Sequence, residues 1–139
     1  MMNKTLLWLD DYRDPFDKKI DWMVFSPIGR NVNVIWVKTY DEFVNYITNH
    51  GLPDGISFDH DLADEHYRES MYDKDGHYSN YYNDGTFKEK TGYDCAKWLT
   101  DYCIHNDLQI PIYGVHSANP IGKQNIISIL ETFKKIFQR

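Results

Sequence analysis

The sequence predicts an α/β fold, an open parallel sheet of about four strands in the order 2-1-3-4. Three observations carry this. Short apolar runs alternate with helical patterns, which is how a parallel sheet is written in sequence. The runs are nearly continuous rather than alternating, as in strands buried on both faces. Three of them end in polar clusters, Asp10-Asp11, Asp59-His60-Asp61 and His116-Ser117. Open α/β sheets carry their sites at the carboxyl ends of their strands. The order 2-1-3-4 makes the three strands that end in these clusters neighbours.

Residues 5–9 form the first strand, an apolar run that stops at two aspartates. Residues 12–30 are irregular, punctuated by Pro15, Pro27 and Gly29, with room for at most a short helix in 18–25. Residues 31–38 are β-branched and apolar, a second strand. Thr39 and Glu42 match a capping box. The helix they open carries Phe43, Val44 and Ile47 on one face and stops at Gly51. Residues 55–58 form the third strand.

Residues 62–91 break this rhythm with five tyrosines and Asp-Gly pairs at 75–76 and 84–85. Asp-Gly pairs signal tight turns. A long stretch directly after the Asp-His-Asp cluster reads as a lid-like insertion. Residues 92–106 form an amphipathic helix whose stripe is Cys95, Trp98, Leu99, Tyr102 and Cys103. Residues 110–115 form the fourth strand. Asn119-Pro120 is an N-cap followed by proline at the first helical position. The last helix buries Ile126, Ile129, Leu130, Phe133 and Ile136.

The 139 residues suit one domain, 1–139, and 42% hydrophobic content with 16% aromatics supports a core without staples. A net charge of −6 argues against an extended nucleic-acid face. It leaves room for a small nucleotide in a local pocket. The two cysteines, eight residues apart on one helix, are about 12 Å from each other, too far for a disulfide. They read as core thiols of a reduced, cytoplasmic protein. No apolar run is long enough to span a membrane.

Asp10, Asp11, Asp59 and Asp61 offer oxygen ligands only, which suits Mg²⁺ or Mn²⁺ rather than zinc. Four crowded carboxylates call for a neutralising cation. His60 reads as a general acid, a metal ligand, a partner of one, or a histidine bonded within the strand. His116 ends a strand just before a helix N-terminus, a place that favours anions. His116, Ser117 and Asn119 there suit a phosphate, although Ser117 and Asn119 also serve as plain helix caps. Arg13, two residues past the aspartate pair, suits a phosphate clamp.

Leu9-Asp10-Asp11-x-Arg13, Ser57-Phe58-Asp59-His60-Asp61-Leu62 and His116-Ser117-Ala118-Asn119-Pro120-x-Gly122 together resemble the cyclic-phosphate-processing receiver-like family. That family is related to response-regulator receiver domains and is common in bacteria and phages. The resemblance implies a receiver-like (flavodoxin-like) sheet with residues 62–91 inserted after the third strand. It implies that Asp10 and Asp11 match the receiver's acidic metal pair and Asp59 or Asp61 its phospho-acceptor. His116-Ser117 then takes the place of the receiver's Ser/Thr. The receiver's fifth strand, with its lysine, has no counterpart, and its first helix is reduced to an irregular crossover.

The expectation is a metal-dependent phosphoesterase for an RNA 2′,3′-cyclic phosphate or a cyclic nucleotide messenger, in a phage an anti-defence activity. In it, Asp10, Asp11, Asp59 and Asp61 hold Mg²⁺ or Mn²⁺. His116, His60 and Asp59 are catalytic, and Ser117, Asn119 and Arg13 bind phosphate. The alternatives are a nucleotide-binding module that does not cleave and a degenerate phospho-accepting receiver.

Overall fold

Strand β1 (Lys4–Leu9) is central, with β2 (Val32–Val37) on one side and β3 (Gly55–Phe58) on the other. β4 (Ile112–Val115) forms the far edge, so the order is β2-β1-β3-β4 and all pairings are parallel. This is the receiver-like α/β arrangement expected from the sequence. The computed structural model describes residues 3–62 and 90–137. Of the lid-like insertion only Leu62, Lys90 and Thr91 are described; its two turns and its tyrosines lie outside the described residues. β4 is shorter than the apolar run that announces it. Ile110 is buried but precedes the strand, and Pro111 next to it has no N–H to give a ladder.

Helices α1 (Tyr40–His50), α2 (Gly92–Asn106) and α3 (Pro120–Phe137) share one core with a single face of the sheet. That core unites Leu7, Leu9, Ile56 and Phe58 with Phe43, Ile47, Leu99, Ile126 and Leu130. Both cysteines are buried in it as free thiols. Trp98 and Tyr102 are packed against its margin, while Ala96 and Thr100 are buried instead. In α3 the expected stripe holds through Phe133, but Ile136 is 57% exposed, in the helix's last turn.

The opposite face of the sheet has no helix from the described residues. It carries Trp8, Ser57 and Gly114, which are aligned in register across β1, β3 and β4. The crossover between β1 and β2 covers it. This segment holds a single 3₁₀ turn, Trp22–Phe25, which fits the short helix expected there. A Cβ on Gly55 would meet Ile28, and one on Gly114 would rest on Phe25 and Pro27.

Helix caps follow sequence chemistry with one correction. The Thr39 hydroxyl accepts from the Glu42 N–H, as expected, but Glu42 Oε1 accepts from Lys38 N–H rather than from Thr39. The reciprocal box of α1 is therefore not closed. A complete box opens α2, where Thr91 Oγ1 accepts from Asp94 N–H and Asp94 accepts from Thr91 N–H.

α2 begins hard against the end of β3. Gly92 N–H donates to the His60 carbonyl at 2.7 Å, and a Cβ on Gly92 would lie 1.8 Å from the Asp59 carbonyl oxygen. A backbone obstacle of that kind does not rotate away. Gly92→Ala should therefore lower unfolding stability by about 3 kcal/mol or more, read from urea denaturation. Gly114→Ala, whose Cβ would meet only ordinary contacts at 3.5 Å and beyond, should cost within about 1 kcal/mol.

Candidate functional site

The ladder runs one residue past each strand. Asp10 N–H donates to the Val37 carbonyl, Asp59 N–H to Leu9 and His116 N–H to Phe58. Asp10, Asp59 and His116 thus stand in one row, each two residues after Trp8, Ser57 and Gly114. The two-residue period of a strand puts them on the same face. That face is the helix-free one, beneath the crossover.

Asp10 is fully buried and saturated with donors. Its Oδ1 accepts from the N–H groups of Tyr12 and Arg13, both at 2.8 Å. Its Oδ2 accepts from Arg13 Nη1 at 3.2 Å and His116 Nε2 at 2.9 Å. Burial alone would raise its pKa, but the hydrogen bonds from His116, Arg13 and Tyr12 outweigh it and hold the carboxyl below its usual value. Two tryptophans fix the loop around it. Trp8 Nε1 donates to the Arg13 carbonyl at 2.9 Å and Trp36 Nε1 to the Asp10 carbonyl at 2.7 Å.

The His116 side chain has no exposure, and its ring stacks on Trp8 with centroids 4.0 Å apart. Burial lowers its pKa, against the pull of Asp10, so the ring is neutral at pH 7. An ionised Asp10 can only accept, so the one ring proton sits on Nε2. Nδ1 is then an acceptor 2.7 Å from the Ser57 hydroxyl, whose single proton also has the Phe25 carbonyl within reach at 3.3 Å. Both ring nitrogens are committed inside the fold, in a chain running Ser57–His116–Asp10.

Asp59 is 1% exposed, and its Oδ2 lies 3.6 Å from Arg13 Nη1. Burial and then the charge of Asp10 push its pKa up to about 7; Arg13 opposes the shift, and Asp61 and Asp11 add to it. Asp10, Asp11 and Asp59 each bring an oxygen to within 4.8 Å of the others. Two charges at that separation repel by about 3 kcal/mol at an effective dielectric of 20. Three oxygen donors from adjacent strand ends fit a hard divalent cation, and Arg13 supplies positive charge at the same point.

Asp61 belongs to a neighbouring group. Asp61 Oδ1 is 2.9 Å from His60 Nδ1, and Asn119 Nδ2 lies 3.4 Å from that oxygen. The His60 ring rests on Gly122, where a Cβ would come within 2.3 Å of it. The ladder ends at Asp59, so His60 and Asp61 lie beyond it and their side chains meet. Asn119 Oδ1 accepts from Gly122 N–H and so caps α3, while Ser117 Oγ accepts from Asn119 N–H and braces the turn just ahead of it. Sequence reasoning gave no role to Trp8, Trp36 or Ser57. The signal was two indoles and a hydroxyl inside the strand segments, with Trp8 and Ser57 each two residues before an aspartate of the site.

The raised pKa of Asp59 has a definite sign. Between pH 4 and 7 the folded carboxyl keeps a proton that the unfolded one has lost, so without metal Asp59 makes stability fall as pH rises through this window. His116 acts oppositely, since its lowered pKa costs stability as pH falls below its unfolded value. The difference between wild type and Asp59→Asn cancels the His116 contribution. Measured by urea denaturation in EDTA, wild type should lose roughly 3 to 4 kcal/mol relative to Asp59→Asn from pH 4 to pH 8.

Comparison with curated proteins and with solved structures finds no match. Among protein families, the Cyclic-phosphate processing Receiver domain matches residues 5–132. That span runs from β1 into α3 and includes every residue of the site described above. The chain belongs to the cyclic-phosphate processing receiver domain family.

Proposed function

We propose that the protein is a metal-dependent phosphoesterase acting on a nucleotide cyclic phosphate or phosphodiester. The observation that carries this reading is the convergence of Asp10, Asp11 and Asp59 at adjacent strand ends in a chain of this family. These three would hold Mg²⁺ or Mn²⁺, which suit an all-oxygen donor set. Bound there, the cation would supply Lewis acidity to a phosphoryl group and make a water more acidic.

The side chains divide the remaining work. His60 is 18% exposed and paired to Asp61 through Nδ1; among the described residues its Nε2 makes no hydrogen bond. It is the better-placed group to protonate a leaving oxygen. His116 has both nitrogens engaged, so it orients Asp10 rather than delivering a proton to a ligand. Ser117 Oγ and Asn119 Oδ1 accept from the N–H groups of Asn119 and Gly122, which leaves the Ser117 hydroxyl proton and the Asn119 amide as donors beside the Arg13 guanidinium for a phosphate. The substrate is an RNA 2′,3′-cyclic phosphate or a cyclic nucleotide messenger, the latter consistent with a phage anti-defence role.

One observation favours a second reading, a module that holds a nucleotide without cleaving it. Asp10 already accepts four hydrogen bonds, so its resting oxygens are satisfied without a metal.

Incubation with a library of cyclic nucleotides and cyclic phosphates, with Mg²⁺ or Mn²⁺ and mass spectrometry of products, decides between the two. The proposal expects cleavage of at least one compound, lost in EDTA and in Asp59→Asn. His60→Gln should lose about 100-fold in kcat, the scale of a missing general acid. Ligand bound tightly and recovered intact under every metal condition would establish the non-cleaving module instead.

A further inference from the structure

Arg13 Nη1 lies between two carboxylates from neighbouring strands, 3.2 Å from Asp10 Oδ2 and 3.6 Å from Asp59 Oδ2. Its backbone is held at both ends. The N–H donates to Asp10 Oδ1, and the carbonyl accepts from Trp8 Nε1. The side chain is 20% exposed and its guanidinium lies 5.4 Å from the Trp22 ring centre. The anchor is therefore fixed while the head borders solvent. A divalent cation held by both Asp10 and Asp59 would need the space between the same two oxygens. Guanidinium and cation repel, so they cannot share it.

We propose that Arg13 is an exchangeable resident cation, which holds the place between Asp10 and Asp59 until a divalent cation enters and then turns to the phosphoryl group bound beside it. This rests on the metal-centre reading above. It deepens that reading by making the ligand a cation–phosphoryl pair rather than two independent species. A cation arriving alone must displace an arginine ion-paired to both carboxylates. A phosphate arriving alone finds the guanidinium already committed. Together each removes the other's obstacle, so each tightens the other by the same factor.

The test is calorimetric titration of Mg²⁺ into wild type and Arg13→Gln at pH 8, with and without inorganic phosphate. Phosphate should tighten Mg²⁺ binding to wild type about tenfold or more, and to Arg13→Gln by less than about twofold. Mg²⁺ alone should bind Arg13→Gln about tenfold more tightly than wild type, because no tethered charge competes. Equal affinity of the two proteins for Mg²⁺ alone overturns the resident-cation role. An equal phosphate effect in both overturns the exchange. The wild-type titration is decisive even if the variant does not fold, since Mg²⁺ binding indifferent to phosphate refutes the coupling. Flat titrations of both proteins at millimolar Mg²⁺ overturn the metal centre itself, and this inference with it.

Discussion

The site depends on hydrogen bonds that belong to the sheet rather than to the side chains it displays. The N–H groups of Asp10, Asp59 and His116 each donate to the adjacent strand, one residue beyond its apolar run. That extra rung lines up three polar side chains and points them to one face. From there the geometry has little freedom. Asp10 reaches His116 because Trp8 holds the imidazole flat beneath it, and His116 reaches Ser57 because both rise from the same face. A buried carboxylate with four donors and a buried neutral imidazole are each costly alone. Together they satisfy one another.

The two faces of the sheet have separate duties. One packs all three helices and supplies the core. The other carries the site and is roofed by the crossover, with Phe25, Pro27 and Ile28 against the two glycines of the strands. A helix crossing here would need side-chain clearance that Gly55 and Gly114 do not require of an irregular segment. The reduced crossover and the site beneath it are thus two aspects of one arrangement.

Much of this was legible in the sequence. Continuous apolar runs gave the strands, and the polar residues that ended them gave the rim of the site. Thr39, Gly51, Asn119 and Pro120 marked helix ends through local chemistry that tertiary structure does not override. The partners were harder to read. A one-dimensional pattern says that Asp10 and Asp59 end strands, but not that Arg13 folds back between them, since that needs the turn set by Asp10 Oδ1. His116 and His60 look alike as polar residues at strand ends. Only burial separates them, one ring closed inside the fold and the other at its edge. Ser57 was invisible for a similar reason: a small hydroxyl in a strand resembles filler until a histidine is found 2.7 Å away.

The bond from Gly92 N–H to the His60 carbonyl has a further consequence for how this chain can vary. The chain leaves the sheet after Asp59 and is described to residue 62 and again from residue 90, yet residues 60 and 92 are held together by that bond. The start of α2 is thus fixed to the end of β3 by a bond that does not involve the chain between residues 62 and 90. In general, doubling the length of a connection between two fixed ends costs only about 0.6 kcal/mol in closure entropy. Insertions and deletions there need not disturb strand register or the row of polar side chains. The carboxylate cluster is set by the strand ends and by this one bond, and so does not depend on that segment's length.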